Sequence, residues 1–581
     1  MDQNLDERAV RDLELELHTE IYPGTEVMRD VGTHHFVKGG DSVLVPQPSD
    51  DEYVCLEFSD SSCCANMQLL DMIHCPMWKF FAMTCVTMST FAQGMGPLAL
   101  APMFPDYIKE WDSDIASVVQ FTGVAILVLG FSNFIWVPIQ NCYGRRPVLI
   151  FSLAICFGSS IWRAEAKSYG SFMGACVLNG IGAGPAETAQ PTVIADIMFL
   201  HERGRYNTLY FTVYMGSLMI GPIISGSMAQ ALGWRSFWWL NTGVLGFVTL
   251  ACIFLFPETR YRRAFPHAES PLSSSPGKAS AEHIEEKSIK PSDGIGADSD
   301  VIEKELTSTT ARTNRSSTPA VLPSSENPQD PWLRRGRPSR KQWALYQPLE
   351  SSLLAEFILP WKLFFFPIVQ FASFVVSWSC SSFLTLNLTQ SQVFGYPPYT
   401  YSSQTIGFFN FAILVGAILG LVTAGPLSDF IAAKLTQRNK GVREPEMRLL
   451  AMVPYVLIMI IGNVVVALGY QYKWDWKVIV IIGFTCAGIQ VAALPAIAST
   501  YAVDSYKPVS GAMFVTITVN KNVWGYGFSK FITPWTESAG YIPPIMTNMA
   551  LVTLWCSFGI VFWFYGKRFR GWTKNSKVHA M

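Results

Sequence analysis

The sequence predicts an all-α membrane protein in which twelve transmembrane helices form two pseudo-symmetric six-helix bundles. Three observations support this fold class. Half of the 581 residues are hydrophobic and only 15% are charged, whereas a soluble protein carries about a quarter charged residues. Apolar stretches of about 20 residues, the length that crosses a bilayer, recur along the chain. Similar short motifs also recur at equivalent places in the two halves, which indicates an internal repeat.

The apolar stretches fall into two sets of six. In the first half we expect spans at 80–103, 116–138, 147–164, 170–196, 206–231 and 236–257. In the second half we expect them at 361–388, 402–424, 449–470, 477–500, 508–535 and 546–566.

The parts of the chain outside these spans are predicted to be tails and one long linker. Residues 262–350 are rich in Ser, Pro, Glu and Lys, a composition that cannot bury enough apolar surface to fold. The predicted organisation is a cytosolic tail (1–79), an N-terminal bundle (80–257), a disordered cytosolic linker (258–360), a C-terminal bundle (361–566) and a cytosolic tail (567–581).

The short loops carry unequal numbers of Lys and Arg, and this bias predicts the orientation in the membrane. One set of loops contains Arg145, Arg146, Arg203, Arg205, Lys434, Arg438, Lys440, Arg443, Arg448 and Lys507. The opposite set contains Lys109, Arg163, Lys167, Arg235 and Lys473. We therefore expect the more basic loops and both termini to face the cytosol.

Charge and cysteine usage exclude several other classes. The net charge of −1 gives no reason to expect a nucleic-acid partner. The 12 cysteines are scattered without metal-ligand spacing, so we expect neither a metal nor a cofactor. No Walker A lysine loop is present in the sequence, which argues against an ATP-driven pump.

The repeated motifs lie at the ends of equivalent spans. The second span is followed by "VPIQNCYGRRPV" (137–148) and the eighth by "GPLSDFIAAK" (425–434). The fourth span ends at Asp196 and the tenth at Asp504, in "VIAD" and "YAVD". Repeated motifs at the ends of equivalent spans are typical of transporters whose two bundles rock about a central site.

These motifs, taken together, resemble those of a known family. Besides those quoted, they include "NGIGAGPAETAQPTVIADIMFLHERGRYNTLYF", "GWRSFWWLN", "FPETRYRR" and "YAVDSYKPVSGAMFVTITVNKNVWGYG". From residue 76 onward the chain is similar to the major facilitator superfamily. More narrowly, it resembles fungal members of the twelve-span drug:proton antiporter family, in the branch of histidinol- and polyamine-permease-like proteins.

The resemblance implies a gate motif, G-x-L-x-D-(R/K)-x-G-R-(R/K), in which a carboxylate at a helix end bonds to basic residues. The second-half copy keeps Gly425, Leu427 and Asp429. The first-half copy keeps the basic residues but has Asn141 in place of the Asp, so the charge of this gate is absent. The expected gating residues are Asn141, Arg145, Arg146, Asp196, Arg203, Asp429 and Asp504.

Two further motifs concern transport more directly. The stretch "GSLMIGPIISG" (216–226) approximates the antiporter motif of the fifth span, with Gly216, Gly221, Pro222 and Gly226. Its alternative role is generic helix packing. In the fourth span, Cys176 stands where proton-coupled members usually carry an Arg, so another group would have to handle protons.

Glu187 is the main candidate for that group, because the fourth span lines the cavity in this family. A carboxylate near mid-membrane is costly and indicates function, and the alternative is a Glu that stabilises helix contacts. Lys521 in the eleventh span either pairs with Glu187 across the halves or pairs locally and leaves Glu187 to a cationic substrate. The expected lining adds Gln190, Asn520, Asn522, Trp524, Tyr526, Gln93 and Trp378. Gln190, Gln93 and Trp378 are equally compatible with packing.

Residues 53–75 replace the short Asp/Pro-rich link that relatives carry before "PMWK" (76–79). Two explanations remain open for this insert: a retained intron translated in frame, or a genuine lineage-specific insertion.

The expected function is secondary active transport by alternating access, in a monomer at the plasma membrane and without enzymatic activity. Proton-coupled efflux of a drug-like compound or secondary metabolite is the first interpretation, and uptake or exchange of polyamine-like cations is the alternative. A channel and a non-transporting receptor are rival classes.

Overall fold

The computed structural model describes residues 26–27, 69–198, 200–259, 343–344, 352–439, 442–506 and 509–573. Of these, 26–27, 69–77, 195, 200–205, 207–208 and 510 are described by their backbone alone. All described residues belong to one unit, formed by Leu5–Tyr261 and Asp330–Met581.

The first half consists of helices joined by short turns. They are α1 (Leu69–Leu98), α2 (Phe104–Trp111), α3 (Ile115–Tyr143), α4 (Arg145–Glu165), α5 (Tyr169–Ala183), α6 (Pro185–Ile197), α7 (Leu200–Leu232) and α8 (Trp234–Leu255), with a short 3₁₀ helix at Ala101–Met103.

The second half repeats this arrangement. Its helices are α9 (Leu353–Leu363), α10 (Pro367–Phe394), α11 (Ser403–Phe408), α12 (Asn410–Arg438), α13 (Met452–Tyr472), α14 (Thr485–Ser505), α15 (Ser510–Ala539) and α16 (Ile542–Thr573). A 3₁₀ helix at Pro445–Ala451 precedes α13 and a π-helix at Val478–Phe484 precedes α14.

Within the described residues, nine helical segments are long and apolar enough to cross a membrane. Three further segments correspond to the remaining predicted spans. They are α1, the pair α5 and α6 with a break between them, and α15. Helices α5 and α6 are 15 and 13 residues long, so neither crosses a membrane alone, and α15 carries the charged residue Lys521. The all-α membrane fold predicted from the sequence is confirmed.

The boundaries of the tails and of the linker differ from the prediction. Helix α1 begins at Leu69, inside the predicted tail and the 53–75 insert. Helix α9 begins at Leu353, inside the stretch predicted to be a disordered linker, because its apolar side chains pack against α3 and α15. The stretches 53–68, 260–342, 345–351 and 574–581 lie outside the described residues.

One small strand pairing was not expected in an all-α fold. Strand β1 (Glu26–Val27) pairs antiparallel with β2 (Val442–Arg443), in the loop between α12 and α13. A short part of the predicted N-terminal tail is therefore attached to the C-terminal half.

Small residues let α7 cross helices of both bundles closely. A Cβ atom at Gly221 would overlap the Met95 carbonyl oxygen of α1, and one at Gly226 would lie 2.5 Å from the Ser403 carbonyl oxygen of α11. Among the described residues, the nearest atom to a Cβ atom at Gly216 would be one of Leu414, at 4.0 Å. Three of the four residues of the antiporter-like motif, Gly221, Pro222 and Gly226, are thus packing residues at helix crossings.

We expect Gly226→Ala to destabilise the fold by about 1–3 kcal/mol, because the added methyl group forces α7 and α11 apart. Gly216→Ala is the matched control, and it should be neutral or slightly stabilising because its methyl group has room. Thermal unfolding of both purified variants measures the difference, and equal melting temperatures would contradict the assigned packing role.

Candidate functional site

Glu187 lies beside a break in the fourth membrane-spanning segment. Helices α5 and α6 are separated at Gly184, where a Cβ atom would overlap the Ser132 hydroxyl of α3. Pro185 begins α6, and Glu187 lies in its first turn. Gly184 keeps a right-handed helical conformation and its carbonyl accepts the Glu187 N–H at 3.2 Å, so the break is a local interruption of the helix.

An ion pair joins the two bundles at this break. Lys521 Nζ, from α15, lies 2.5 Å from Oε1 of Glu187. The Tyr214 hydroxyl of α7 donates to the same oxygen, and the Tyr210 hydroxyl donates to the Glu187 carbonyl at 2.9 Å. The side chains of Glu187 and Lys521 are 5% and 14% exposed, so each charge depends on the other for compensation. Of the two arrangements predicted for Lys521, the pairing across the halves is present.

The ion pair forms part of the wall of a cavity between the bundles. The cavity leaves about 80 Å³ for the centres of water molecules, and one water needs about 10–15 Å³ by this measure. Several waters therefore fit, whereas a drug-sized ligand would require the bundles to separate. Most lining side chains are apolar, and Glu187 and Lys521 are the charged ones among the described residues that line it.

Four polar atoms in this wall have no hydrogen-bond partner within the described part of the chain. They are Gln93 Oε1, Glu187 Oε2, Ser381 Oγ and Asn522 Nδ2. Unpaired buried polar atoms are costly, so these positions favour waters or the polar groups of a ligand. Both bundles contribute to this set, since Gln93 and Glu187 come from the first half and Ser381 and Asn522 from the second.

Several predicted lining residues lie elsewhere. Gln190 donates to Thr87 Oγ1 at 2.9 Å inside the first bundle, and Asn520 donates to Ser377 Oγ at 3.1 Å inside the second. Trp378 and Trp524 pack against each other, with ring centroids 4.7 Å apart, and Tyr526 packs near Gly123. None of these five is among the described residues of the cavity wall. Gln93, Glu187, Lys521 and Asn522 are the predicted residues that the structure brings together.

Ion pairs at the ends of the bundles follow the sequence repeat. Arg145 Nε lies 2.9 Å from Asp196, and Arg448 Nε lies 2.7 Å from Asp504. Arg145 begins α4, Arg448 lies in the 3₁₀ helix before α13, and the two Asp residues lie in the last turns of α6 and α14. We call this end of the molecule the Arg145 end. The sequence predicts other basic neighbours for Asp196 and Asp504. They are Arg203 and Arg205, whose side chains are not described, and Lys507, which is outside the described residues.

The gate position shows what Asn141 does in place of Asp. Arg448 Nη1 donates to Asp429 Oδ1 at 2.7 Å in the second half. Arg145 Nη1 donates to Asn141 Oδ1 at 2.8 Å in the first. Asn141 therefore keeps the hydrogen bond without the charge.

Glu258 supplies a carboxylate near the same position. It accepts the backbone N–H groups of Arg145 and Arg146 at 2.8 and 3.0 Å. The Arg146 side chain donates to the Phe256 and Ile253 carbonyls and lies over the Trp343 ring, 5.1 Å from its centroid. Arg146 thus fixes the end of the first bundle through backbone carbonyls, with the Glu258 carboxylate close enough to interact with its charge.

A buried guanidinium lies beside Cys176, the position where relatives usually carry an Arg. Arg163 of α4 is fully buried close to the Cys176 thiol, and its guanidinium N–H groups have no hydrogen-bond partner within the described residues. Its Cζ atom lies 4.5 Å from the centroid of the Trp238 ring, a favourable cation–π geometry. The sequence assigned Arg163 to a loop because it lies at the end of a predicted span.

Tyr214 and Arg448 were also not identified as site residues from the sequence. The spacing of Tyr210 and Tyr214, one helical turn apart in the fifth span, would have placed two hydroxyl groups on one face. The position of Arg448 at the start of the ninth span, equivalent to Arg145 at the third, would have identified the second ion pair.

The profile of the Major Facilitator Superfamily matches residues 80–520. The chain belongs to this superfamily. It is therefore a multi-pass membrane protein for transport, and a small-molecule substrate is implied.

Several fungal members of the superfamily are similar along much of their length. An uncharacterized MFS-type transporter of Schizosaccharomyces pombe is 24% identical, over 96% of this chain and 94% of its own. Protein HOL1 of Saccharomyces cerevisiae is 24% identical over 78% and 80% of the two chains. A probable efflux pump, mfs2, of Aspergillus flavus is 23% identical over 82% and 100%.

A solved structure of the superfamily has the same fold. The crystal structure of the human organic anion transporter MFSD10 covers 83% of this chain and 99% of its own, with a TM-score of 0.50 and 14% identity. At this identity the likeness concerns the fold alone.

We expect Glu187→Gln to destabilise this superfamily member by about 3 kcal/mol, because it leaves the Lys521 ammonium buried without its counter-charge. The double variant Glu187→Gln/Lys521→Met removes both charges and should recover most of that loss. Thermal unfolding of the single and double variants tests this coupling. A double variant as unstable as the sum of the two single variants would contradict the ion pair.

Proposed function

We propose that this protein is a proton-coupled secondary transporter that exports a drug-like compound or secondary metabolite by alternating access. The observation that carries the proposal is the Glu187–Lys521 pair in the wall of a cavity between the bundles. Because the pair comes from both halves of one chain, a monomer is sufficient for the site. The similarity to a probable efflux pump supports the direction of transport.

In the proposed cycle, a proton and the substrate compete for Glu187. Protonation of the carboxylate removes the partner of Lys521, so the two bundles lose their electrostatic attraction at mid-membrane. The proton and the substrate use the site in turn: the substrate enters when Glu187 is deprotonated and meets the unpaired polar atoms of Gln93 and Asn522 that are already in the wall. Loss of the proton restores the pair, and the direction of the proton gradient drives the cycle.

The end pairs form the rigid parts of the gate in this proposal. Arg145 with Asp196 and Arg448 with Asp504 hold each bundle rigid at the Arg145 end, which we propose faces the cytosol together with both termini. The excess of Lys and Arg in the loops at this end supports that orientation. We propose the plasma membrane as the location.

Uptake or exchange of a polyamine-like organic cation is a second candidate function. It is favoured by Glu187 Oε2, a buried carboxylate oxygen for which the described residues provide no donor. An ammonium group of a substrate could bind this oxygen while Oε1 still accepts from Tyr214. In this version the substrate, rather than a proton, displaces Lys521.

We expect Glu187→Gln to reduce gradient-driven transport at least about a hundredfold, because a neutral amide can neither exchange the proton nor attract an ammonium group. Uptake and efflux of a panel of amines and xenobiotics in vesicles with an imposed pH gradient measure the effect. Asp475→Asn is the matched control, since it neutralises an exposed carboxylate in a loop far from the cavity.

The outcomes distinguish the candidates. Saturable, gradient-dependent export by the wild type supports efflux, and gradient-dependent amine uptake supports the second candidate. Flux that does not saturate would indicate a channel, and binding without flux would indicate a receptor. Wild-type transport by Glu187→Gln would mean that Glu187 only stabilises the fold.

A further inference from the structure

Helix α9, which we call the bridging helix (Leu353–Leu363), contacts both bundles at the Arg145 end. On the side of the first bundle, Phe134 of α3 stacks on Trp361, with ring centroids 4.7 Å apart and an interplanar angle of 6°. On the side of the second bundle, Thr516 of α15 donates to the Pro360 carbonyl at 2.9 Å. One short helix therefore spans the interface where the bundles would separate.

A polar bond fixes the bridging helix to the first bundle. Asn141 Nδ2 donates to Glu356 Oε2 at 2.8 Å, while Asn141 Oδ1 accepts from Arg145 at 2.8 Å. The amide is suited to this position because it donates with one atom and accepts with the other. The bond to Glu356 is charge-assisted and hence stronger than a neutral hydrogen bond.

The second half shows why an Asp would not serve here. Asp429 accepts from Arg448 in the way that Asn141 accepts from Arg145. An ionised Asp at position 141 would keep the bond to Arg145, but its other oxygen would face the Glu356 carboxylate and could not donate. Asn at position 141, where this motif usually has Asp, therefore suits the neighbouring Glu356 carboxylate.

The surroundings of the bridging helix increase the importance of this bond. Apart from Glu356 and Lys362, the helix "LLAEFILPWKL" contains no charged residue. Leu354 and Phe357 are 67% and 41% exposed, as expected for a helix that lies in the membrane interface. Glu356 is therefore the carboxylate through which the bridging helix can be held to α3.

We propose that Glu356 is a positioning residue of the gate: through Asn141 it holds the bridging helix across both bundles and keeps the Arg145 end closed. This role rests on the proposed alternating-access cycle, in which that end must open. Each opening then requires the bridging helix to leave one of the bundles, by breaking either the Asn141–Glu356 bond or the Thr516–Pro360 bond, whereas the Arg145–Asp196 pair can remain intact within its bundle.

An exchange of the two groups tests the proposal. Asn141→Asp should speed amide hydrogen exchange in 353–363 at least about tenfold, since the bond is replaced by a like-charge contact. Adding Glu356→Gln should restore slow exchange, because Gln can donate to Asp. Glu356→Ala removes the same bond and leaves the contact between Asn141 and Arg145 in place, so it should also speed exchange in this helix.

Hydrogen exchange followed by mass spectrometry on the full-length protein in lipid nanodiscs provides the measurement. Unchanged exchange in both Asn141→Asp and Glu356→Ala would overturn the proposal, as would failure of Glu356→Gln to restore the Asn141→Asp variant. If Asn141→Asp does not fold, Glu356→Ala alone decides in the same way. The readout does not depend on transport, so failure of the proposed function is detected separately by the flux assay.

Discussion

The folded structure depends on a counter-charge for one carboxylate that lies within the membrane. An isolated charge there is costly, and in this protein the cost is offset only when the two bundles meet, because Glu187 and Lys521 come from opposite halves. The break at Gly184 places the carboxylate in the first turn of a helix, and Tyr214 holds one of its oxygens. Any event that changes the charge of either group therefore also changes the affinity of one bundle for the other.

The contacts between the bundles differ in chemistry from one end to the other. At the end remote from Arg145, α7 meets α11 through backbone atoms at Gly226, a contact without charge. At the Arg145 end, the bridging helix is held by a carboxylate, an amide and aromatic rings. Close backbone packing is insensitive to protons and ions, whereas the polar contacts are not. We therefore expect electrostatic control to act on the Arg145 end.

The fold could be predicted because hydropathy and repeated motifs report directly on membrane-spanning helices. The pairing of Glu187 with Lys521 could be predicted as one of two alternatives, because few charged residues lie within the predicted spans. The neighbours of these charges could not be predicted. Gln190 lies one turn from Glu187 but turns toward Thr87 of α1, and only the packing of α1 against α6 decides this. Likewise, nothing in the sequence indicated that Arg163, at the end of a predicted span, is fully buried inside the bundle.

Asn141 shows how a departure from a motif can be understood once its neighbours are known. From the sequence alone, the missing carboxylate indicated a gate without its charge. In the structure, Asp196 and Glu258 supply carboxylates around Arg145, and the amide is free to bind Glu356. Asp196 corresponds to Asp504, so Glu258 is the additional carboxylate of the first bundle at this position. Because an amide can accept from one partner and donate to another, the substitution connects the gate of the first bundle to a helix that also contacts the second.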